Sequence, residues 1–325
     1  STQPIEVEPS STTATIQPPG DASPDDLSRP IAEFGAISPG VDQQIRTLME
    51  QGGIPSLSAG IVVDGDLMWA KNYEGPAGLD SVYVPGSIQK PVTATAVLQL
   101  VERGLIDLDE DVSTYVGFPV RHPGYPDQVI TTRLLLTHQA GLDHGGFNPR
   151  NHTLEAFGEE IMDITLPRPA DALLADREYF EGLLASEATT ESDDVWTGVP
   201  GTYSYSNIGF DLLAYVVAQV SGRPFEQYVE ESIFEPLGMG HSGYSAEDFR
   251  AFHTVPSEIV IEDGIYLDGQ YVPLNERGLA LLEGRRIELP LYEDQPGSGG
   301  LRTSVPDLAE FLIAHMNQGA GSSGS

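Results

Sequence analysis

Two residue types that together support nucleophilic catalysis stand three positions apart in Ser87-Ile88-Gln89-Lys90. The residues before Gly86 favour an extended segment and those after it favour a helix, and residues three apart share a helix face. Lys90 can therefore sit beside the Ser87 hydroxyl and act as its base. The chain holds only two lysines, Lys71 and Lys90, against 14 arginines. The pattern predicts a Ser-x-x-Lys nucleophile, and the alternative is an ordinary helix N-terminus with a solvated lysine.

A second pair of polar side chains follows 118 residues after Ser87. Tyr205 and Asn207 form a Tyr-x-Asn sequence directly before an apolar pattern of helical period that closes at Gly222. This pattern predicts a buried helix over residues 207–221 that opens at the pair. The alternative is purely structural, with Asn207 as an N-cap and Tyr205 as a packed aromatic residue.

The two motifs, their order and their surroundings resemble the serine β-lactamase and penicillin-binding-protein superfamily, specifically its class C β-lactamase-like and esterase branch. The resemblance covers about residues 39–319. It is carried by residues 86–111, Leu135-Leu136-Thr137-His138-Gln139-Ala140-Gly141-Leu142, Pro200-Gly201-Thr202, Pro236-Leu237-Gly238-Met239 and Gly299-Gly300-Leu301. Several independent segments in one order are more specific than a short motif. The resemblance implies an α+β fold, with an antiparallel sheet flanked by helices and an all-helical lobe.

The same resemblance implies acyl transfer on an ester, a β-lactam or a peptide bearing a D-residue. Ser87 would attack a carbonyl and form an acyl-enzyme. Lys90 and Tyr205 would move the proton, and Asn207 would hold the amide or carbonyl of the substrate. The backbone N–H of Ser87 would supply one donor of the oxyanion hole. A different class of function stays open: a catalytically silent scaffold or binding module in an extracellular assembly.

The family's third motif, a Lys- or His-containing triplet that ends in Gly on an edge strand, is expected after the last helix and therefore beyond Ser325. Enzyme activity is predicted on the condition that this motif is supplied there. A cleaved or continuing C-terminal segment, or a second chain, is expected to complete the sheet, because an open sheet edge is an aggregation liability. His241-Ser242-Gly243 matches the triplet superficially, but it follows Met239 in a loop and is assigned to structure.

Composition and the resemblance together predict the domain organisation. Residues 1–30, rich in Ser, Thr, Pro and Asp, are predicted to be a disordered tether because they cannot bury enough apolar surface to fold. Residues 31–325 are predicted to form a single domain. Its predicted parts are a partial sheet lobe (31–86 and 296–325), a mainly helical lobe (87–295) and two variable insertions (145–199 and 256–275). The first insertion is expected to border the substrate site.

Hydrophobic periodicity predicts the elements of this domain. Val41, Ile45, Leu48 and Met49 form the apolar stripe of a helix over residues 39–52. Asp64-Gly65 between residues 57–63 and 66–73 predicts a hairpin. Further predicted elements are helices over residues 87–103, 132–138, 154–164, 170–185, 207–221 and 224–234, a hairpin within residues 258–272, and a last helix that Ser304 caps and that runs through His315.

The charge balance of the chain excludes several classes of partner. Acidic residues outnumber basic ones by 49 to 16, which gives a formal net charge of −33. Nucleic-acid binding is excluded because no basic stripe is available to displace counterions, and attraction to anionic membranes is disfavoured. An acidic surface of this kind keeps a protein soluble where salt screens charge repulsion. The composition predicts a halophilic source, with an acidic secreted protein as the alternative.

Cysteine is absent, so the chain has no disulfide, thiolate nucleophile or Cys-based metal site. The seven histidines lack metal-binding spacing, and neither a metal nor a cofactor is expected. No run of 18 apolar residues predicts a membrane span. The tether and the sequon at Asn151 favour an exported, extracellular or cell-surface protein. The expected partner is a small-molecule or peptide substrate, without nucleic acid and without membrane insertion.

Overall fold

The computed structural model describes residues 33–142, 177, 180–181, 184, 195–196, 198–244, 255, 258–260, 264–267, 270–273, 286–288, 297–317 and 319. Several predictions fall outside these residues. They concern the tether at residues 1–30, the sequon at Asn151, the helix at 154–164, most of the helix at 170–185 and most of the insertion at 145–199.

Eight helices and seven strands are formed by the described residues. The helices are α1 Pro39–Gly52, α2 Lys90–Glu102, α3 Ser113–Val116, α4 Thr132–Leu136, α5 Asn207–Ser221, α6 Phe225–Val229, α7 Glu235–Leu237 and α8 Val305–Met316. The strands are β1 Glu33–Phe34, β2 Leu57–Val63, β3 Asp66–Tyr73, β4 Glu258–Val260, β5 Gly264–Leu267, β6 Gln270–Pro273 and β7 Arg286–Glu288. Short 3₁₀ turns span Gly78–Asp80 and Gly86–Gln89, and a π-helical turn spans Glu230–Phe234.

The chain divides into two compact units. Unit 1 comprises residues 1–83, 234–255 and 302–325, and unit 2 comprises residues 84–233 and 256–301. Residues 234–255, which the sequence analysis placed in the helical lobe, belong to unit 1. All strands of the three-stranded sheet lie in unit 1, and helices α2 to α6 lie in unit 2.

The sheet of unit 1 is antiparallel, in the order β1-β3-β2. The predicted hairpin is confirmed with its predicted bounds, because β2 and β3 pair from Leu57 with Tyr73 to Val63 with Asp66. The turn between them has φ of 53° at Asp64 and 87° at Gly65. Positive φ at both central residues is what a type I′ hairpin turn requires, and Asp-Gly provides it at low cost.

One face of this sheet packs against α1. Met49, Trp69 and Tyr73 form a buried cluster, and the side chains of Ile45 and Ile61 pack against it. These contacts come from the register, since Ile61 pairs with Trp69 and side chains alternate between the two faces.

Two further observations refine the packing of this sheet. The predicted apolar stripe of α1 was wrong for Leu48, which is 63% exposed. Adjacent residues are about 100° apart around a helix of 3.6 residues per turn, so Leu48 points away from the direction of the buried Met49.

On the opposite face of the sheet, a Cβ at Gly60 would lie 2.9 Å from Val305 Cγ1. The strand therefore needs glycine at this position to admit α8.

The first turn of α8 anchors the His241-Ser242-Gly243 segment. Ser304 Oγ accepts the Asp307 N–H at 3.3 Å, and the Asp307 carboxylate accepts the His241 N–H at 2.7 Å and the Ser242 hydroxyl at 2.8 Å. Burial raises the pKa of Asp307 above its ordinary value. Gly243 forms a backbone bridge with Arg302. These contacts give the segment the structural role that was predicted for it.

A cluster around Lys71 joins three elements of unit 1. Lys71 Nζ, on β3, lies 2.7 Å from Asp42 Oδ1 on α1 and 3.2 Å from Glu33 Oε2 on β1. The Tyr73 hydroxyl donates to Asp42 Oδ1 at 2.9 Å. The hydrogen bond from Lys71, followed by that from Tyr73, lowers the pKa of Asp42 below its ordinary value. The ionised carboxylate therefore stabilises the folded state.

The pH dependence of unfolding tests this cluster. The folded-state pKa of Asp42 is lowered, so its stabilising contribution is present above the unfolded-state pKa of about 3.9 and is lost as the pH falls through the lower folded-state value. We expect Asp42→Asn to lower the free energy of unfolding at pH 7 and to leave a weaker pH dependence below about pH 4. Urea unfolding at several pH values measures both effects. Asp66→Asn, at an exposed position of β3, is the control, and equal curves for the two variants would contradict the assignment.

In unit 2, α5 is the central helix, because nine of its residues from Ile208 to Val217 are buried and it contacts α2, α3, α4 and α6. Its predicted bounds are confirmed, and it ends before Gly222, which has φ of 71°. The helix predicted over residues 224–234 is formed by α6 and the π-helical turn that follows it without a break. The predicted second hairpin is formed by β5 and β6, whereas β4 pairs with β7.

Within the described ranges, none of the helices has the length and apolar character that a bilayer crossing requires.

Candidate active site

Ser87 lies in the 3₁₀ turn Gly86–Gln89 that leads directly into α2. The α-helix therefore begins at Lys90, three residues later than predicted. Gly86 has φ of 58°, a left-handed conformation that glycine adopts without strain. Pro91 lies in the first turn of α2, where its missing N–H costs no helical hydrogen bond. This turn leaves Ser87 exposed, whereas Lys90 is buried.

Lys90 makes three hydrogen bonds at the start of α2. Its Nζ donates to Ser87 Oγ at 3.1 Å, to Asn207 Oδ1 at 2.7 Å and to the Ser298 carbonyl at 2.9 Å. Three acceptors match the three donors of an ammonium group. These three hydrogen bonds fix the side chain in one position. Lys90 is only 6% exposed, and a buried charge is tolerated when it is fully hydrogen-bonded.

Tyr205 approaches Ser87 from the segment before α5. Its hydroxyl donates to Ser87 Oγ at 2.7 Å, and its ring centre lies 4.8 Å from Lys90 Nζ. The structure therefore brings together the four residues predicted from the sequence: Ser87, Lys90, Tyr205 and Asn207. All of them lie within unit 2.

The N-cap of α5 is Ser206, whose Oγ accepts the N–H of Gly209 at 2.9 Å. The structural alternative considered for Asn207, that its side chain is the N-cap, is therefore wrong. Because Ser206 supplies the cap, the Asn207 amide is available to Lys90. Within the described part of the chain, Asn207 Nδ2 has no hydrogen-bond acceptor.

The carbonyl of Ser298 is a site group that the sequence analysis missed. Its segment is held against α2, because Thr93 Oγ1 donates to the Gly297 carbonyl at 2.7 Å and Gln89 Oε1 accepts the Leu301 N–H at 2.8 Å. A backbone carbonyl leaves no side-chain signature in a sequence. The only signal was the glycine-rich run that begins at Gly297.

The glycine at position 297 is required by its contact with α5. A Cβ there would lie 2.2 Å from the Phe210 carbonyl oxygen and 2.7 Å from Asp211 Cα. One residue later, Ser298 Oγ donates to Asp211 Oδ2 at 3.2 Å. The segment is therefore held by α5 on one side and by α2 on the other, which fixes the Ser298 carbonyl beside Lys90.

The chemistry available to this arrangement follows from its atoms. A serine oxygen within hydrogen-bond distance of both an amine and a phenol has two groups that exchange protons with it. The amide of Asn207 can donate to a carbonyl oxygen. Among the described residues, no group of three or more His, Asp or Glu side chains is arranged to hold a metal ion. The serine oxygen, with these neighbours, can attack a carbonyl carbon.

Comparisons with known proteins agree with this chemistry. A family model described as Beta-lactamase matches residues 41–325. The chain is 29% identical over 253 residues to Esterase EstB of Burkholderia gladioli, which covers 77% of this chain and 55% of that protein. It is 28% identical over 226 residues to the D-alanyl-D-alanine-carboxypeptidase/endopeptidase AmpH of Escherichia coli, which covers 67% of this chain and 52% of that protein. The chain thus spans about half the length of these relatives.

A solved structure supports the fold. The octameric penicillin-binding protein homologue from Pyrococcus abyssi is 25% identical to this chain, with a TM-score of 0.63, and the match covers 86% of this chain and 56% of that one. The match confirms the predicted α+β, β-lactamase-like fold. By its sequence match and its fold, the chain belongs to the beta-lactamase family of serine hydrolases and penicillin-binding proteins.

Proposed function

We propose that this chain carries the nucleophile of an exported serine hydrolase that transfers acyl groups through Ser87. The observation that carries the proposal is the position of Ser87 Oγ, 3.1 Å from Lys90 Nζ and 2.7 Å from the Tyr205 hydroxyl. A serine without a chemical role does not require an amine and a phenol within hydrogen-bond distance of its hydroxyl. A nucleophilic serine requires such neighbours, because its hydroxyl must lose a proton as it attacks.

The first step would form a bond between Ser87 Oγ and the carbonyl carbon of the substrate. The hydroxyl proton of Ser87 would pass to the oxygen of Tyr205 or the amine of Lys90, whichever has first lost its own proton. Asn207 would donate from its amide to the substrate, and the Ser87 N–H would donate to the developing oxyanion. As the bond between the carbonyl carbon and the leaving group breaks, Tyr205 would give the leaving group a proton, either the one it gained from Ser87 or one relayed from Lys90. Water would then hydrolyse the ester bond to Ser87 Oγ.

The proposed substrates are esters, β-lactams or peptides that bear a D-residue. The names of two relatives support this range, since one is an esterase and the other a D-alanyl-D-alanine carboxypeptidase and endopeptidase. These substrates share a carbonyl with a leaving group, which is the chemistry that Ser87 can attack. Residues outside the described ranges would select among them, because fold and nucleophile are common to several substrates.

Covalent labelling of the full-length protein tests the proposal. We expect a fluorophosphonate probe, and a fluorescent penicillin as a second probe, to modify one site that peptide mass spectrometry maps to Ser87. An activated serine reacts with such probes where an ordinary serine does not. Heat-unfolded protein is the control and should stay unlabelled, since the reactivity depends on Lys90 and Tyr205 being in place. Absence of labelling in the folded protein, or modification at another serine, would contradict the proposal and favour a silent scaffold.

A further inference from the structure

His138 lies two residues after the end of α4, in a conformation that few side chains adopt. Its φ is 55°, which is the left-handed region, and its N–H donates to the Leu135 carbonyl at 3.1 Å. This φ explains why the helix predicted through residue 138 ends at Leu136. Asparagine, aspartate and histidine occur there several-fold more often than other non-glycine residues. A strained backbone at a site suggests that the position serves a purpose beyond packing.

The backbone and the ring of His138 hold the segment that carries Tyr205 at two points. The His138 carbonyl accepts the N–H of Ser204 at 2.8 Å. The ring Nδ1 accepts the N–H of Ser206 at 3.0 Å. The residues directly before and after Tyr205 are therefore both bonded to His138, which restricts the backbone rotation that would swing the Tyr205 side chain.

The ring of His138 also fixes the aromatic side chain itself. Its centre lies 4.5 Å from the centre of the Tyr205 ring, with an angle of 34° between the planes, and 5.0 Å from the Phe210 ring. Lys90 Nζ lies 4.8 Å from the Tyr205 ring and 5.7 Å from the Phe210 ring. The Tyr205 ring is thus in contact with an imidazole as well as with the Lys90 ammonium.

We propose that His138 is a positioning residue that holds the Tyr205 hydroxyl beside Ser87 through the bond from Ser206 N–H to its Nδ1 and through ring contact. The predicted effect on the acylation rate rests on the proposed function. The predicted effect on the distance between Tyr205 and Ser87 does not depend on that function. The Nδ1 atom acts as an acceptor, so the proton of the neutral ring is on Nε2.

Positioning of this kind affects the chemical step more than substrate binding. A proton is transferred efficiently only over a heavy-atom distance of about 2.6–3.2 Å. A displacement of about 1 Å can cost about a hundredfold in rate. The bond from Tyr205 to Ser87 is 2.7 Å long, and none of the described contacts of His138 is with Ser87. Loss of the His138 contacts should therefore lower the acylation rate and leave the initial binding of the probe nearly unchanged.

Two variants separate positioning from bulk packing without adding backbone strain. His138→Asn keeps an acceptor, since Oδ1 takes the place of Nδ1, and His138→Gly removes both ring and acceptor; each tolerates a positive φ. We expect His138→Gly to acylate about a hundredfold more slowly, with the apparent dissociation constant of the probe changed less than about threefold. His138→Asn should recover the rate to within about fivefold of the wild type, because it retains the bond from Ser206.

Crystal structures of both variants supply a readout that does not depend on activity. The distance from the Tyr205 hydroxyl to Ser87 Oγ should stay within hydrogen-bond range in His138→Asn and exceed about 3.5 Å in His138→Gly. Wild-type protein that is never labelled would refute the proposed function, and these distances would still decide the positioning role. An unchanged distance in His138→Gly, or equal acylation rates for His138→Gly and the wild type, would overturn the inference. An Asn variant as slow as the Gly variant would overturn the role of the Nδ1 bond and assign the positioning to the ring.

Discussion

Replacing Lys90 with methionine should lower the rate of Ser87 acylation by about ten-thousandfold, the upper end of what a positioned acid–base group contributes. Methionine has a similar length and is apolar, so it suits a side chain that is 6% exposed. It removes the donor to Ser87, Asn207 and Ser298 together. The rate is measured by stopped-flow or quenched labelling of the full-length protein, with Ser87→Ala defining the background.

The second lysine of the chain provides the matched control. Lys71→Met removes the same functional group from unit 1, where it binds Asp42 and Glu33. We expect this variant to be less stable and to acylate at the wild-type rate. Lys90→Met should instead lose acylation, and it should also lose some stability, because Asn207 Oδ1 and the Ser298 carbonyl are left without their donor. Retention of acylation within about tenfold in folded Lys90→Met would rule out the proposed role of this amine.

Tyr205→Phe should lower the acylation rate by about a thousandfold, since a proton-transfer group typically contributes between a hundredfold and ten-thousandfold. The substitution removes one oxygen, which donates to Ser87 Oγ at 2.7 Å. The ring remains, and with it the contacts to His138 and Lys90. A loss of rate therefore reports the hydroxyl and not the packing.

Tyr203→Phe is the control for this substitution. Tyr203 is two residues away, is 66% exposed and also contacts the His138 ring, yet its hydroxyl makes no hydrogen bond to Ser87 among the described residues. We expect its rate to match the wild type. Equal rates for the two phenylalanine variants would show that the Tyr205 hydroxyl takes no part in acylation.

Local patterns predicted the elements better than they predicted the site. The hairpin of β2 and β3 was predicted with its bounds, because Asp64-Gly65 is a local turn signal. The proximity of Ser87 and Lys90 also follows from local spacing, as residues three apart lie on one face. By contrast, Tyr205 and Asn207 were brought to Ser87 only by the family resemblance, since no local pattern encodes a contact across 118 residues.

The groups that the sequence analysis missed share a physical reason. Ser298 acts through its carbonyl, which every residue possesses, and only the fold places it next to Lys90. His138 was named only as part of the segment from Leu135 to Leu142 that carries the resemblance, because its contacts depend on a positive φ and on the approach of the 204–206 segment. The pairing of β4 with β7 joins strands that are separated in sequence by the β5–β6 hairpin, so no local turn signal links them and periodicity could not predict it.

Both lysine side chains are hydrogen-bonded or ion-paired in the folded protein, so we expect them to react slowly with reagents that modify amines. The Lys71 side chain is 14% exposed and ion-paired, and Lys90 is buried in three hydrogen bonds. Succinimidyl esters and lysine-directed cross-linkers should hardly modify the side chains of the folded protein. One lysine lies in each unit, so a brief pulse of such a reagent reports which unit has opened. Coupling to a surface would instead use the carboxylates, of which the sequence contains 49.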